Sequence, residues 1–430
     1  MSPSDNFIPI NNEIPYEMRA LILDGAGWDH LSIRCIPVPR PGPREMLARV
    51  DCAGICTSLL KLIDQGSDHP LIYDQDLDRY PAILGDEGSL TLIQVGEALQ
   101  GSFIPGQRYV MQPSVEHAPI NHLERYRNRG FGIDKVAAGY TLPGHLAEYI
   151  LVTEEALVAG CLLPVPDSDM PLAHAALTEP LSCAVSSQDH HLHLTHTGPL
   201  APRQPIKGLL PGGVLVVIGG GAMGRMHVDV GMSYHPRAII VSDPIDERLV
   251  QVESLFGKRA DRAGIQLRLV QSYREDLQAV VSGLTHGLGA EDVIVAVGSE
   301  EAVLAAQPLV SRGGVLNLFG GLPRGREFIP FDTLAIHYRE INVTGSSGGY
   351  PWDMARTLEL IATGAIDPAA HITRIGDLEH APDLLKMVKA RTIDGKAVVY
   401  PHRRASAILN VSRWTAEDEL AYLAGDGVKP

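Results

Sequence analysis

Cysteine is scarce, and basic charge is outweighed by acidic charge. Five cysteines in 430 residues, Cys35, Cys52, Cys56, Cys161 and Cys183, form no C-x-x-C pair, and an odd count gives no closed framework, so a disulfide scaffold is excluded. No run of about 18 apolar residues occurs, so no segment reads as a membrane-spanning helix. The opening residues, MSPSDNFIPINNEIPYEM, contain no apolar leader core. A cytoplasmic chain with reduced thiols is expected. Lys and Arg total 36 against 51 Asp and Glu, a formal charge of −15. Nucleic-acid binding, which needs a basic face, is therefore not expected, and neither is a membrane partner. A local basic pocket for a small anion stays open. Internal repeats and long low-complexity tracts are also missing.

A chain of this length is enough for two or three domains. Residues 18–110 read as short strands between Pro and Gly turns: MRALILDG, LSIRCIPVP, EMLARVDCAG, SLTLIQVG and RYVMQPSV. HLAEYILVT continues this β-rich unit, and PLAHAALTEPLSCAVS turns helical in period. The texture changes near residue 212. Strand-like runs at VLVVI (214–218), AIIVSD (238–243), QLRLV (266–270), DVIVAVG (292–298) and GVLNLFGG (314–321) alternate with helical stretches. That alternation predicts a parallel, doubly wound sheet and an α/β fold class. Residues 190–212 read as a linker or loop, and TAEDELAYLAG as a surface helix.

GGGAMG follows VLVVI directly. Gly219, Gly221 and Gly224 satisfy G-x-G-x-x-G, with Ala222 and Met223 opening a helix-like stretch. Asp243 ends the next strand, 19 residues past Gly224, where an acid holds ribose hydroxyls. A tight turn at Gly219, close pyrophosphate approach at Gly221 and helix packing at Gly224 make this a dinucleotide cradle. Asp243 repels a 2′-phosphate, so NAD is preferred over NADP. Arg248, five residues on, softens that preference.

PAILGDEGSL sets two acids, Asp86 and Glu87, between glycines in an apolar run. Glu179 is a further acid in the apolar stretch ALTEPLSCAV, and Cys56 and Ser58 follow the strand-like DCAGI. Buried carboxylates without partners are costly, and a cation would resolve that cost. Thiolate plus carboxylates suits Zn²⁺ with an open position. The segments lie far apart in sequence, so ordinary structural roles remain equally open by pattern alone.

AGICTS, the GDEG turn, PGQRYV, GHLAEYI, LTEPLSCA, VVIGGGAMG and GLGAEDVIVAVGS stand in one order over residues 18 to 400. In that order they resemble the zinc-dependent medium-chain alcohol and polyol dehydrogenases. CTSLLK, GYTLPG, EPLSCAV and TGSSGGYPWDM bring the likeness closest to sugar-phosphate enzymes of the sorbose 1-phosphate reductase kind. The resemblance implies a GROES-like catalytic domain over 1–188 and 342–430 and a Rossmann NAD-binding domain over 189–341. It makes Cys56 the thiolate ligand and Glu179 the later carboxylate ligand, and it places Glu87 on or next to the metal. Ser58 falls at the proton-relay hydroxyl and Lys61 where relatives carry a relay histidine. Lys61 is then a proton exit, or a contact to a cofactor ribose or a substrate phosphate.

Three departures stand out. Asp86 replaces the histidine of the usual Gly-His-Glu turn, and Leu59 replaces the acid that orients that histidine. A ligand aspartate would be repelled by such an acid, so the pair of changes is coherent if Asp86 is itself an oxygen ligand. It is also coherent with a site that has dropped its metal, the less favoured of the two readings. The four-cysteine lobe is missing too, so no structural zinc is expected beside the one catalytic Zn²⁺ or other divalent ion.

The expected activity is hydride transfer between a nicotinamide and a secondary alcohol or ketone of a sugar phosphate or polyol. Lys61, Arg125, Arg127 and Arg129 are candidate phosphate cations, or a solvated face. An unphosphorylated sugar or cyclitol substrate is one alternative. A metal-free NAD-binding sensor or scaffold is another. A homodimer or homotetramer is expected by resemblance. His190, His191, His193 and His196 read as solvated loop residues. His145 contacts substrate or shapes a turn, and Cys183 reads as a core residue. Ser346 and Ser347 precede a helix start that either holds an anion or is simply capped.

Overall fold

A computed structural model describes residues 14–116, 120–167, 169–323 and 325–425. The chain divides into two compact units, Met1–Glu179 with Ile372–Pro430, and Pro180–His371.

The first unit is β-rich. Its eight-stranded sheet centres on Met46–Ile55, which pairs antiparallel with Gly88–Val95, Tyr149–Val152 and Lys396–Tyr400. Met46–Ile55 is buried on both faces almost throughout, so it carries a near-continuous apolar run instead of a polar alternation. A three-stranded sheet, with Glu17–Leu23 between Leu31–Pro37 and Ala82–Ile83, packs beside it. Leu21, Met46, Val50, Leu90, Leu92 and Val399 share one core. The apolar strands thereby deliver the polar turn 84–88 and the start of the helix Ser58–Gln65 to one place.

The second unit holds a six-stranded, all-parallel sheet. Its spatial order is Gln266–Gln271, Ala238–Asp243, Val214–Ile218, Ala290–Val295, Val310–Leu318 and Asn342–Gly345. Strand order reverses beside Val214–Ile218, the switch point at which doubly wound sheets bind ligands. Val214, Val216 and Ile218 enter one core, while Leu215 and Val217 enter the other. This period-two split is why the strand reads as an unbroken apolar run.

The expected α/β class, with a β-rich and a Rossmann-type unit, matches this architecture. The division of the chain lies elsewhere than 188/189 and 341/342. The helix Thr178–Asp189 carries the first division, and Asn342–Gly345 is a sheet strand of the second unit.

Two segments differ from expectation. Residues 190–212 are not plain loop, because Leu192–Thr195 and Gln204–Lys207 form an antiparallel hairpin. The helix Ala416–Ala424 is capped by Thr415 and Asp418, but it does not lie free on the surface. Its Glu419 is buried and accepts bonds from the Leu172 and Ala173 amides and the Tyr400 hydroxyl. No helix among the described residues is long and apolar enough to cross a membrane.

Candidate active site

Gly219 has φ +107, which favours glycine, and turns the chain out of Val214–Ile218. A Cβ on Gly224 would lie 1.7 Å from the Gly219 carbonyl, so only glycine lets the helix Ala222–Met232 start this close to its strand. Gly221 faces open space and caps that helix. Gly221, Ala222 and Met223 are partly exposed while the rest of the helix is buried. Free amides at a helix start suit an anion. Asp243 is buried, and its carboxylate accepts from the amides of Gly220 and Ile245 at 2.8 Å each. Arg248 reaches the same carboxylate at 3.4 Å. The acid and the glycine loop thus form one built unit.

In the first unit, the turn 85–88 is shaped by close backbone packing. Gly85 has φ +108, and a Cβ there would meet the Leu146 amide at 2.6 Å. Gly88 lies so close to the His145 ring that a Cβ would sit 2.4 Å from it. The His145 amide bonds the Gly85 carbonyl at 2.9 Å, and its Nδ1 lies 3.1 Å from the same oxygen. Burial pushes the His145 imidazole down to about 4, so it is neutral at physiological pH and serves the turn.

The turn presents Asp86 and Glu87 to Cys56. The Cys56 thiol and one oxygen of each carboxylate lie within 4.8 Å of one another. Glu87 is fully buried, seated where Gly54 leaves room, since a Cβ on Gly54 would lie 2.0 Å from Glu87 Oε2. Ser58 donates to Asp86 Oδ2 at 2.6 Å. Tyr140, also buried, interacts through its hydroxyl with Ser58, and its ring packs 5.4 Å from that of His69. Glu179 is buried, and its charge acts on Cys56, Tyr140 and Lys396. Leu59, at the departure position, is buried in the apolar core and brings no charge to the turn.

Lys396 was not anticipated. It lies in the buried strand Lys396–Tyr400 and forms a 2.5 Å ion pair with Glu87 Oε1. Its only sequence signal is a lysine opening the apolar run KAVVY. Lys61, in contrast, is exposed on the helix Ser58–Gln65. Arg127 pairs with Asp74 and Asp76 at 3.6 and 3.2 Å, so its charge is already met.

Three acids and one lysine leave the cluster anionic, and the titration directions record this. Burial first, then the Glu87 charge, push Asp86 up to about 6 against the Ser58 bond and Lys396. Burial, Asp86 and Glu87 push the Cys56 thiol well up, with Lys396 opposing. Burial alone would lower Lys396, but Glu87 and Cys56 hold it charged. Among the described residues no donor reaches Asp86 Oδ1 or Glu87 Oε2, both buried. Two orphaned carboxylate oxygens beside a thiol fit a divalent cation, which would reverse these shifts.

The zinc-binding dehydrogenase family model matches residues 235–363, and the alcohol dehydrogenase GroES-like domain matches residues 42–167. The chain belongs to the zinc-type medium-chain alcohol and polyol dehydrogenases. It is 30% identical to mannitol-1-phosphate 5-dehydrogenase of Aliivibrio fischeri over 87% of this chain and 85% of that one. It is 27% identical to L-sorbose 1-phosphate reductase of Klebsiella pneumoniae over 87% and 86%. The fold is that of 2R,3R-butanediol dehydrogenase from Bacillus subtilis, with TM-score 0.71 at 19% identity, covering 90% of this chain and all of that one.

Proposed function

We propose that the protein is an NAD-linked oxidoreductase acting on a secondary alcohol or ketone of a sugar phosphate or polyol. The observation that carries this reading is the Cys56, Asp86 and Glu87 cluster with Ser58 bonded into it. Cys56, Asp86, Glu87 and Glu179 would hold one zinc or other divalent ion, which supplies Lewis acidity to the substrate oxygen.

Ser58, held by its bond to Asp86 Oδ2, would take the proton of the substrate hydroxyl and relay one toward solvent. Tyr140 holds the Ser58 hydroxyl from its other side. Lys396 holds Glu87 Oε1, so Oε2 is the oxygen Glu87 would offer a cation. Lys61 is exposed and remains a candidate for proton exit or for a phosphate contact. The nearby relatives named for mannitol 1-phosphate and sorbose 1-phosphate support a phosphorylated substrate. Steady-state kinetics on hexitol and ketose pairs with and without phosphate test this. A gain of about tenfold or more in kcat/KM is expected, the worth of one charged hydrogen bond. Equal efficiencies would return the reading to an unphosphorylated sugar or cyclitol.

Asp243 binds the adenosine ribose diol and disfavours NADP. Asp243→Ala removes an ionised acceptor and should lower kcat/KM for NAD about 10- to 100-fold, from about 1.5–3 kcal/mol. Arg248, released from Asp243, should raise use of NADP. Parallel titrations with both cofactors read the ratio. An unchanged NAD/NADP ratio would refute the assignment of Asp243.

A further inference from the structure

His191 and His193 are buried at 0% and 3% exposure, against the expectation of solvated loop residues. They sit two residues apart on the edge of the hairpin Leu192–Thr195/Gln204–Lys207, a spacing that points both rings to one face. Both rings meet Asp292, on the parallel strand Ala290–Val295. His191 Nδ1 lies 2.6 Å and His193 Nε2 2.8 Å from the same oxygen, Oδ1. The other oxygen accepts from the Leu210 amide at 2.9 Å. The whole cluster belongs to the nucleotide-binding unit and shares no residue with the Cys56 cluster.

We propose that His191, His193 and Asp292 form a second divalent-metal site that ties the hairpin to the parallel sheet. Two imidazole nitrogens and a carboxylate oxygen, all within 4.8 Å of one another, are a donor set for Zn²⁺ and similar borderline ions. The ring tautomers favour the metal. With protons alone, His191 must carry its hydrogen on Nδ1 to bond Asp292. Its Nε2 is then a bare lone pair, buried with no partner among the described residues.

The His191 amide bonds the Gln188 carbonyl. Gln188 Oε1 is itself a buried acceptor with no partner among the described residues. A metal on His191 Nδ1 moves the ring proton to Nε2, which turns that buried acceptor into a donor. Metal-bound histidines commonly use their second nitrogen in this way. Bonds of about 2.0–2.1 Å place tetrahedral neighbours about 3.3 Å apart, so the present contacts open by roughly half an ångström on binding. Water takes the fourth position.

The test is metal content of the full chain, purified without chelator, for wild type, His193→Gln, Cys56→Ala and the double variant. His193→Gln should lose about one ion per chain relative to wild type while keeping kcat within about twofold, because it lies outside the catalytic cluster. Cobalt separates the two sites by colour. Cys56→Ala loaded with Co²⁺ should show ligand-field bands without thiolate charge transfer, and the double variant should show none. Equal metal content in wild type and His193→Gln would overturn the proposal. So would a colourless Cys56→Ala protein, which decides the matter even if His193→Gln does not fold. Failure of the Cys56 site instead gives Cys56→Ala the wild-type metal content, so the two outcomes are distinct.

Discussion

Cys56→Ala is expected to abolish metal binding at the turn and to lower kcat/KM by at least about 10³-fold, while NAD still binds. Lewis-acid stabilisation of a developing alkoxide is worth several kcal/mol, and each 1.36 kcal/mol is about tenfold in rate. Cysteine supplies the one soft ligand. The oxygens of Asp86, Glu87 and Glu179 alone suit harder ions and hold zinc less selectively. The cofactor cradle is built in the other unit from Gly219, Gly221, Gly224 and Asp243, so it survives the change. Inductively coupled plasma analysis reads the metal, and quenching of protein fluorescence reads NAD. Wild-type turnover in a Cys56→Ala protein that has lost the ion at the turn would refute the metal assignment. Glu179→Gln tests the same cluster from the helix Thr178–Asp189 and should weaken the metal without emptying the site, because the thiolate remains.

Much of this was legible in the chain, and the rest failed for physical reasons. The strands VLVVI and AIIVSD fall on Val214–Ile218 and Ala238–Asp243, because central parallel strands bury both faces and write themselves as apolar runs. Asn342–Gly345 is an exposed edge strand, and INVTG carries no such signature. The GDEG turn announced a site because two acids in an apolar run require a reason. Its partners were harder. Lys396 meets Glu87 across 309 residues, and His191 meets Asp292 across 101. A histidine-rich stretch next to Pro and Gly reads as solvated unless the distant acid that buries it is known. Glu419 repeats the lesson. A helix with Glu, Asp and Glu in its first turn looks like a surface helix until Leu172, Ala173 and Tyr400 are seen to claim one of them.

Lys396→Met should destabilise the metal-free protein by about 3–5 kcal/mol, the cost of leaving a buried carboxylate without its counter-charge. The pair is 8% and 0% exposed at its side chains, so solvent does little to screen the loss. Glu87 Oε1 would join Oε2 as a buried oxygen without a donor. The double variant Lys396→Met with Glu87→Gln removes both charges and should recover much of that loss, which a lone packing defect at residue 396 would not allow. Lys396→Arg keeps the charge and should cost less than Lys396→Met. Chemical denaturation of chelated protein reads all three variants on one scale. The metal-loaded protein should respond less, since Lys396 and the cation compete for the same carboxylate. Removing the lysine leaves Glu87 wholly to the cation, so Lys396→Met should bind metal more tightly than wild type even as its metal-free form unfolds more easily. A Lys396→Met protein within about 1 kcal/mol of wild type when chelated would show that Glu87 is satisfied without the lysine.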